Sequence, residues 1–163
     1  MKIDLNVSSP KSGKQDAQYD IVLYNDESIA IIEIKYKASK NDINDLIRKA
    51  GIFRDWFPEY SDYKIYLGIA GMSFLKNTVK NAEAKGIAVI RQRGGKTIVN
   101  DKNLKAYWAK SNEYIKLKSK KNQERGSLPT LFFFGASRMI TNLLAVVHSL
   151  FFLRFYGILH RQR

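Results

Sequence analysis

The chain has no cysteine among its 163 residues, so neither a disulfide framework nor a thiolate zinc site can form. Histidine is nearly as scarce: His148 and His160 are the only two, both near the C-terminus. A histidine zinc site or a histidine-based dyad is thereby set aside, and each reads as a surface or interfacial residue. Acidic side chains are outnumbered, 15 against 28 Lys and Arg, for a formal net charge of +13. That excess points to a polyanionic partner or a membrane surface. The first residues lack the apolar core of a secretory signal peptide, and no stretch suggests an element that reads base edges.

What is present is unevenly spread. Residues 1–109 carry 18 basic and 13 acidic side chains, whereas 110–163 carry 10 and 2. The first part has the mixed composition of one folded domain with its own core. Residues 110–127 read as a basic linker, and 128–163 as an apolar tail.

The first part is organised around Gln18–Lys37, QYDIVLYNDESIAIIEIKYK. Two runs rich in Ile, Val, Leu and Tyr flank Asn25-Asp26-Glu27-Ser28, so the unit reads as a β-hairpin. With a two- or four-residue loop, Asp20 faces Glu33, and Asp20, Glu33 and Lys35 share one side of the sheet. A three- or five-residue loop would send Asp20 to the other side. Two opposed carboxylates disfavour strand pairing, and an apolar setting raises that cost. One resolution is a solvated face on which Asp20 pairs with a nearby lysine. The other is a divalent cation, since Mg²⁺ is held by one or two carboxylates with water and phosphate.

Asp20, twelve residues, then Glu33-Ile34-Lys35 on an apolar strand followed by a helix: this pattern resembles the PD-(D/E)xK nuclease superfamily over residues 2–108. The resemblance implies an α/β fold with a restriction-endonuclease-like core, a central mixed β-sheet flanked by helices. It implies that Asp20, Glu33 and the main-chain carbonyl of Ile34 bind Mg²⁺ (or Mn²⁺), and that Lys35 is the catalytic lysine. The activity implied is hydrolysis of phosphodiester bonds in DNA, or RNA. Tyr19 stands where the motif has proline. The helix that opens the superfamily core has no evident counterpart in the seventeen residues before Gln18.

Further along, Lys2–Val7 alternates as a short strand or a frayed end, and Ser8–Gln15 is a loop. A helix follows Lys37, with Ser39, Asn41 and Asp42 as candidate caps. Its apolar stripe comprises Ile43, Leu46, Ile47, Ala50, Phe53, Trp56 and Phe57, and Pro58 ends it. Arg48, Lys49 and Arg54 fall off that stripe, either as phosphate contacts or as an ordinary solvated face. Tyr63–Ala70 is a strand expected beside the Glu33 strand. A second helix lies within Gly71–Gly86, with Leu75, Val79 and Ala82 inward. Ile87–Gln92 and Lys96–Val99 form a last hairpin about Gly94-Gly95. Arg91, Arg93 and Lys96 make a basic rim there, for nucleic acid or for protecting a sheet edge. Gln92 could approach the Glu33 strand from a neighbour.

In the tail, Met139–Leu153 is the longest run free of Asp, Glu, Lys and Arg, fifteen residues. As a helix it spans about 22 Å against a hydrocarbon core of roughly 30 Å. Extending it to Leu128 buries Arg138, at about 2.5–3.5 kcal/mol. A membrane-lying helix, a folded part, or a segment foreign to the domain through a frame change or fusion all fit. Three functions follow: a metal-dependent nuclease, with a homodimer as one way to cut both strands; a nucleic-acid- or protein-binding module of the same fold without turnover; and a membrane-associated accessory protein. The first two place the chain in the cytoplasm, the last at a membrane.

Overall fold

The computed structural model describes residues 2–8, 16–25, 27–93 and 96–107. The linker 110–127 and the tail 128–163 lie outside the described residues. The elements run β1 (Lys2–Ser8), β2 (Gln18–Asn25), β3 (Ser28–Ala38), α1 (Lys40–Trp56), a 3₁₀ turn (Pro58–Tyr60), β4 (Lys64–Phe74), α2 (Thr78–Lys85), β5 (Ala88–Arg93) and β6 (Lys96–Asn100). This is the order expected from the sequence, and the fold is α+β.

The six strands lie side by side in chain order in one sheet. β1, β2 and β3 form an antiparallel meander. β4 and β5 continue it in parallel, each reached through a helix because parallel neighbours need a crossover. β6 closes the sheet as a hairpin partner of β5. The first hairpin closes on the pair Asn25–Ser28, leaving two residues in its turn, and Tyr24 pairs with Ile29. That is the even-numbered loop on which the placement of Asp20 opposite Glu33 depends.

β3 is the middle of the domain. Ile29 to Ile34 are all buried, a continuous run suited to a strand covered on both faces. One face packs against the helices. Ile29, Ile31, Ile65, Leu67, Ile69 and Val89 from the strands meet Ile43, Leu46, Ala50 and Phe53 of α1 and Ala82 of α2. Phe53, fully buried, is the hub of an aromatic group, with Tyr19 edge-on at 5.4 Å and Phe57 at 4.6 Å between centroids. The other face collects Ile21, Leu23, Ala30, Ile32, Ile34, Ala70 and Ile90, from strands alone. The sheet is therefore not flanked on both sides by the described helices. Both crossovers step in the same direction, β3 to β4 to β5, and right-handed connections put both helices on one face.

α1 begins at a capping box. Ser39 Oγ accepts from the Asp42 N–H at 3.4 Å, and the Asp42 carboxylate accepts from the Ser39 N–H at 2.8 Å. Removing such a cap costs about 1 kcal/mol. Ser39→Ala is expected to lower stability by that amount in urea denaturation with the m-value unchanged.

α2 starts later than the sequence suggested, at Thr78 behind a left-handed Asn77. Leu75 consequently lies before the helix and is exposed, not inward, while Ala82 is buried as expected. Gly86 ends α2 at φ +75, the left-handed geometry that glycine adopts at low cost. Among the described residues no helix is long and apolar enough to cross a membrane.

Candidate metal and phosphate site

The regular pairing of β2 with β3 stops at Ile21–Ile32. One residue further on, the ladder is replaced by a side chain: the Ile34 N–H donates to Asp20 Oδ2 at 2.8 Å. Asp20 is thus anchored to the backbone of β3 beside Glu33. Both carboxylates are buried, at 7% and 4% exposure. Ile34 sends its side chain to the opposite face of the sheet, so only its main chain borders the pair.

Glu33 is contacted by two lysines. Lys35, two residues along β3, brings Nζ to 3.7 Å from Glu33 Oε1. Lys49, from α1, brings Nζ to 2.5 Å from Glu33 Oε2 and donates to the Gln18 carbonyl at 2.8 Å. The Tyr19 hydroxyl donates to the Lys49 carbonyl at 3.0 Å, tying this turn of α1 to β2. Lys49 is partly buried, with 12% of its side chain exposed, while Lys35 keeps 33%.

Burial of its carboxyl pushes Glu33 up from an ordinary 4.5 to about 7, helped by a hydrogen bond with Asp20 and opposed by Lys49. Two buried carboxylates close enough to share a proton are a costly arrangement for a metal-free site. The donors suit a hard divalent cation, which needs only one or two carboxylates when water and phosphate complete its shell. No group of three or more His, Asp or Glu side chains gathers into a metal cage among the described residues.

The sequence motif brought together Asp20, Glu33 and Lys35, and the structure puts these three side by side. It adds Lys49, which does not join a solvated face. Lys49 falls three residues after Leu46 and four before Phe53, both buried. Positions so spaced are neighbours on a helix, and that was the signal for a lysine on the flank of the buried stripe. Gln92 does not approach: it pairs with Thr97 of β6, and the whole of β4 separates β5 from β3.

Arg91 does belong to this end of the sheet. Lys35 is paired with Gly71, and Gly71 with Arg91, so the two cations stand in one row across three strands, about 10 Å apart at the backbone. Gly71 keeps that row low. A Cβ there would meet the Phe74 ring at 2.9 Å, and the Arg91 guanidinium lies 5.3 Å from the centre of the same ring. Beside it opens a cavity of about 560 Å³, lined by Phe74, Lys80 and Arg91 among others. The outer end of a parallel sheet is where α/β folds commonly take ligands.

Compared with protein-family models, with curated proteins and with solved structures, the chain matches none.

Proposed function

We propose that this chain is a metal-dependent nuclease that hydrolyses phosphodiester bonds in DNA. The observation that carries the reading is the buried pair Asp20 and Glu33 with the Lys35 ammonium 3.7 Å from Glu33. Asp20 and Glu33, with the main-chain oxygen of Ile34, would hold Mg²⁺ or Mn²⁺. Such an ion polarises a phosphoryl oxygen and acidifies bound water. Lys35, partly exposed, stabilises the negative charge that builds on phosphorus. Lys49 balances Glu33 from behind and, through Tyr19 and Gln18, fixes the carboxylate against β2. Arg91 and Lys80 line the adjoining cavity, where flanking phosphates of a strand would lie.

The contact between Lys49 and Glu33 supports a second reading. A site already neutralised from within suits a nucleic-acid- or protein-binding module of the same architecture that does not turn over.

The test uses the full chain with plasmid and branched DNA in Mg²⁺, Mn²⁺ or EDTA, beside Lys35→Ala. Cleavage is expected only with metal, and Lys35→Ala is expected to slow it by about 10²-fold or more, the scale of losing one preorganised charge stabiliser. A wild-type protein that unfolds cooperatively, yet neither cuts DNA nor gains melting temperature with Mg²⁺, leaves the binding module as the better account.

A further inference from the structure

The cavity beside Arg91, about 560 Å³ in volume, falls in the range of small-ligand pockets, roughly 300–1,000 Å³. Its lining is more than a groove for phosphate. Met72, Phe74 and Leu75 bring apolar surface to it, while Lys80 and Arg91 bring positive charge. Met72 and Leu75 are 44% and 45% exposed. Scattered singly over a surface, such side chains need no account. Here both border one cavity together with an aromatic ring, and a phosphate would make no use of them.

The Arg91 guanidinium lies 5.3 Å from the centre of the Phe74 ring, within the reach of a cation–π contact. Aromatic rings and guanidinium planes are the surfaces on which unpaired nucleobases stack. Glu83 also lines the cavity, and Asn100 Nδ2 donates to its Oε1 at 2.7 Å. A carboxylate repels phosphate but accepts from the exocyclic amino group of a base. Cations, apolar wall and acceptor together fit a nucleotide with its base, not a backbone alone.

A base inside a duplex cannot reach such a wall. Its faces are stacked on its neighbours, and turning it out costs both pairing and stacking. In a single strand or a flap the faces are available. The spacing suits a strand that also passes Lys35. Lys35, Gly71 and Arg91 stand in one row across three strands, so the two cations are about 10 Å apart at the backbone. That is no more than about three steps of a strand at about 3.4 Å each.

We propose that this cavity receives an unpaired base of DNA, so that the site acts on single strands and flaps in preference to intact duplex. The inference rests on the nuclease reading of Asp20, Glu33 and Lys35, to which it adds the substrate class.

Fluorescence anisotropy with the full chain in EDTA tests it, since binding is then read without cleavage. The probes are a fluorescein-labelled DNA strand of adenine and cytosine alone, which does not pair with itself, and the same strand annealed to its complement. The single strand is expected to bind about tenfold more tightly, the scale of one stacked base. Leu75→Gln removes apolar wall, and Arg91→Lys keeps the charge without the plane. Each is expected to lose most of that preference. Leu5→Gln, at an equally exposed leucine on the far edge of the sheet, is expected to keep it. Equal affinity for the two probes, or a preference untouched by both Leu75→Gln and Arg91→Lys, would overturn the proposal. Adding Mg²⁺ separates it from the reading beneath it. Binding that follows these variants without any cleavage would leave the base site standing and remove the nuclease. Cleavage of the duplex as fast as of the single strand would keep the nuclease and overturn the base site.

Discussion

Replacing Lys49 by methionine is expected to destabilise the metal-free protein by about 1–1.5 kcal/mol at pH 8, the most that raising the Glu33 carboxyl beyond its wild-type value of about 7 can cost by that pH. Methionine keeps most of the apolar stem, which isolates the charge from the packing. What is lost is the ammonium touching Glu33 Oε2 and the Gln18 carbonyl. Of the two lysines on Glu33, Lys35 would then remain, which is more exposed and farther away. The defect depends on pH, and its sign is fixed. Lys49 is the group that holds the Glu33 carboxyl down, so without it the folded carboxyl stays protonated to higher pH. The unfolded carboxyl ionises near its ordinary 4.5. Above that value the folded state binds more protons than the unfolded one, and stability falls as pH rises. Lys49→Met is therefore expected to be nearly as stable as wild type at pH 5 and to fall away towards pH 8. Urea denaturation at the two pH values measures this. Millimolar Mg²⁺ is expected to restore part of the loss at pH 8, because a cation bound only by the folded state stabilises it by mass action. Equal stability of the two proteins at pH 8 would show that Lys49 does not neutralise the carboxylates.

The strand and helix order could be read from the sequence because each element carried a local signal. The hairpin had its turn residues, α1 had Ser39 and Asp42 at its start and Pro58 after its end, and α2 had Gly86. Once the turn was two residues long, alternation alone put Asp20 opposite Glu33. What could not be read depended on contacts made at a distance. The spacing of Lys49 could put it on the flank of the buried stripe, but only the fold brought Glu33 of β3 to it. The Asp20 carboxylate takes the place of a ladder hydrogen bond to Ile34, and no residue pattern announces that exchange. Leu75 was assigned inward because it is apolar, but a turn through left-handed Asn77 moved the start of the helix beyond it. The one-sided placement of the helices followed from the direction of two crossovers, a property of topology that composition does not carry.

Glu33→Gln is expected to move stability and cleavage in opposite directions. In the wild type, burial raises the Glu33 carboxyl to about 7. Protonated Glu33 is therefore favoured in the folded state, and the stability it confers is fully present below pH 4.5 and lost as pH rises through 7. The whole interval corresponds to about 3 kcal/mol at most. Glutamine holds the neutral form at every pH. Its amide can donate to Asp20 and accept from Lys49, and Lys49 keeps Asp45 at 3.8 Å as a residual partner. The metal-free variant should then be more stable than wild type at pH 8, by on the order of 1–3 kcal/mol, and indistinguishable from it near pH 4.5. Cleavage should fall by about 10³-fold, since a carboxylate that helps hold the ion is gone and metal stabilisation of the transition state amounts to several kcal/mol. The Mg²⁺-induced rise in melting temperature should disappear with it. A variant that folds, melts higher and still cuts DNA at the wild-type rate would remove Glu33 from the chemistry. One that is less stable than wild type at pH 8 would mean that the ionised carboxylate is the form the folded protein prefers.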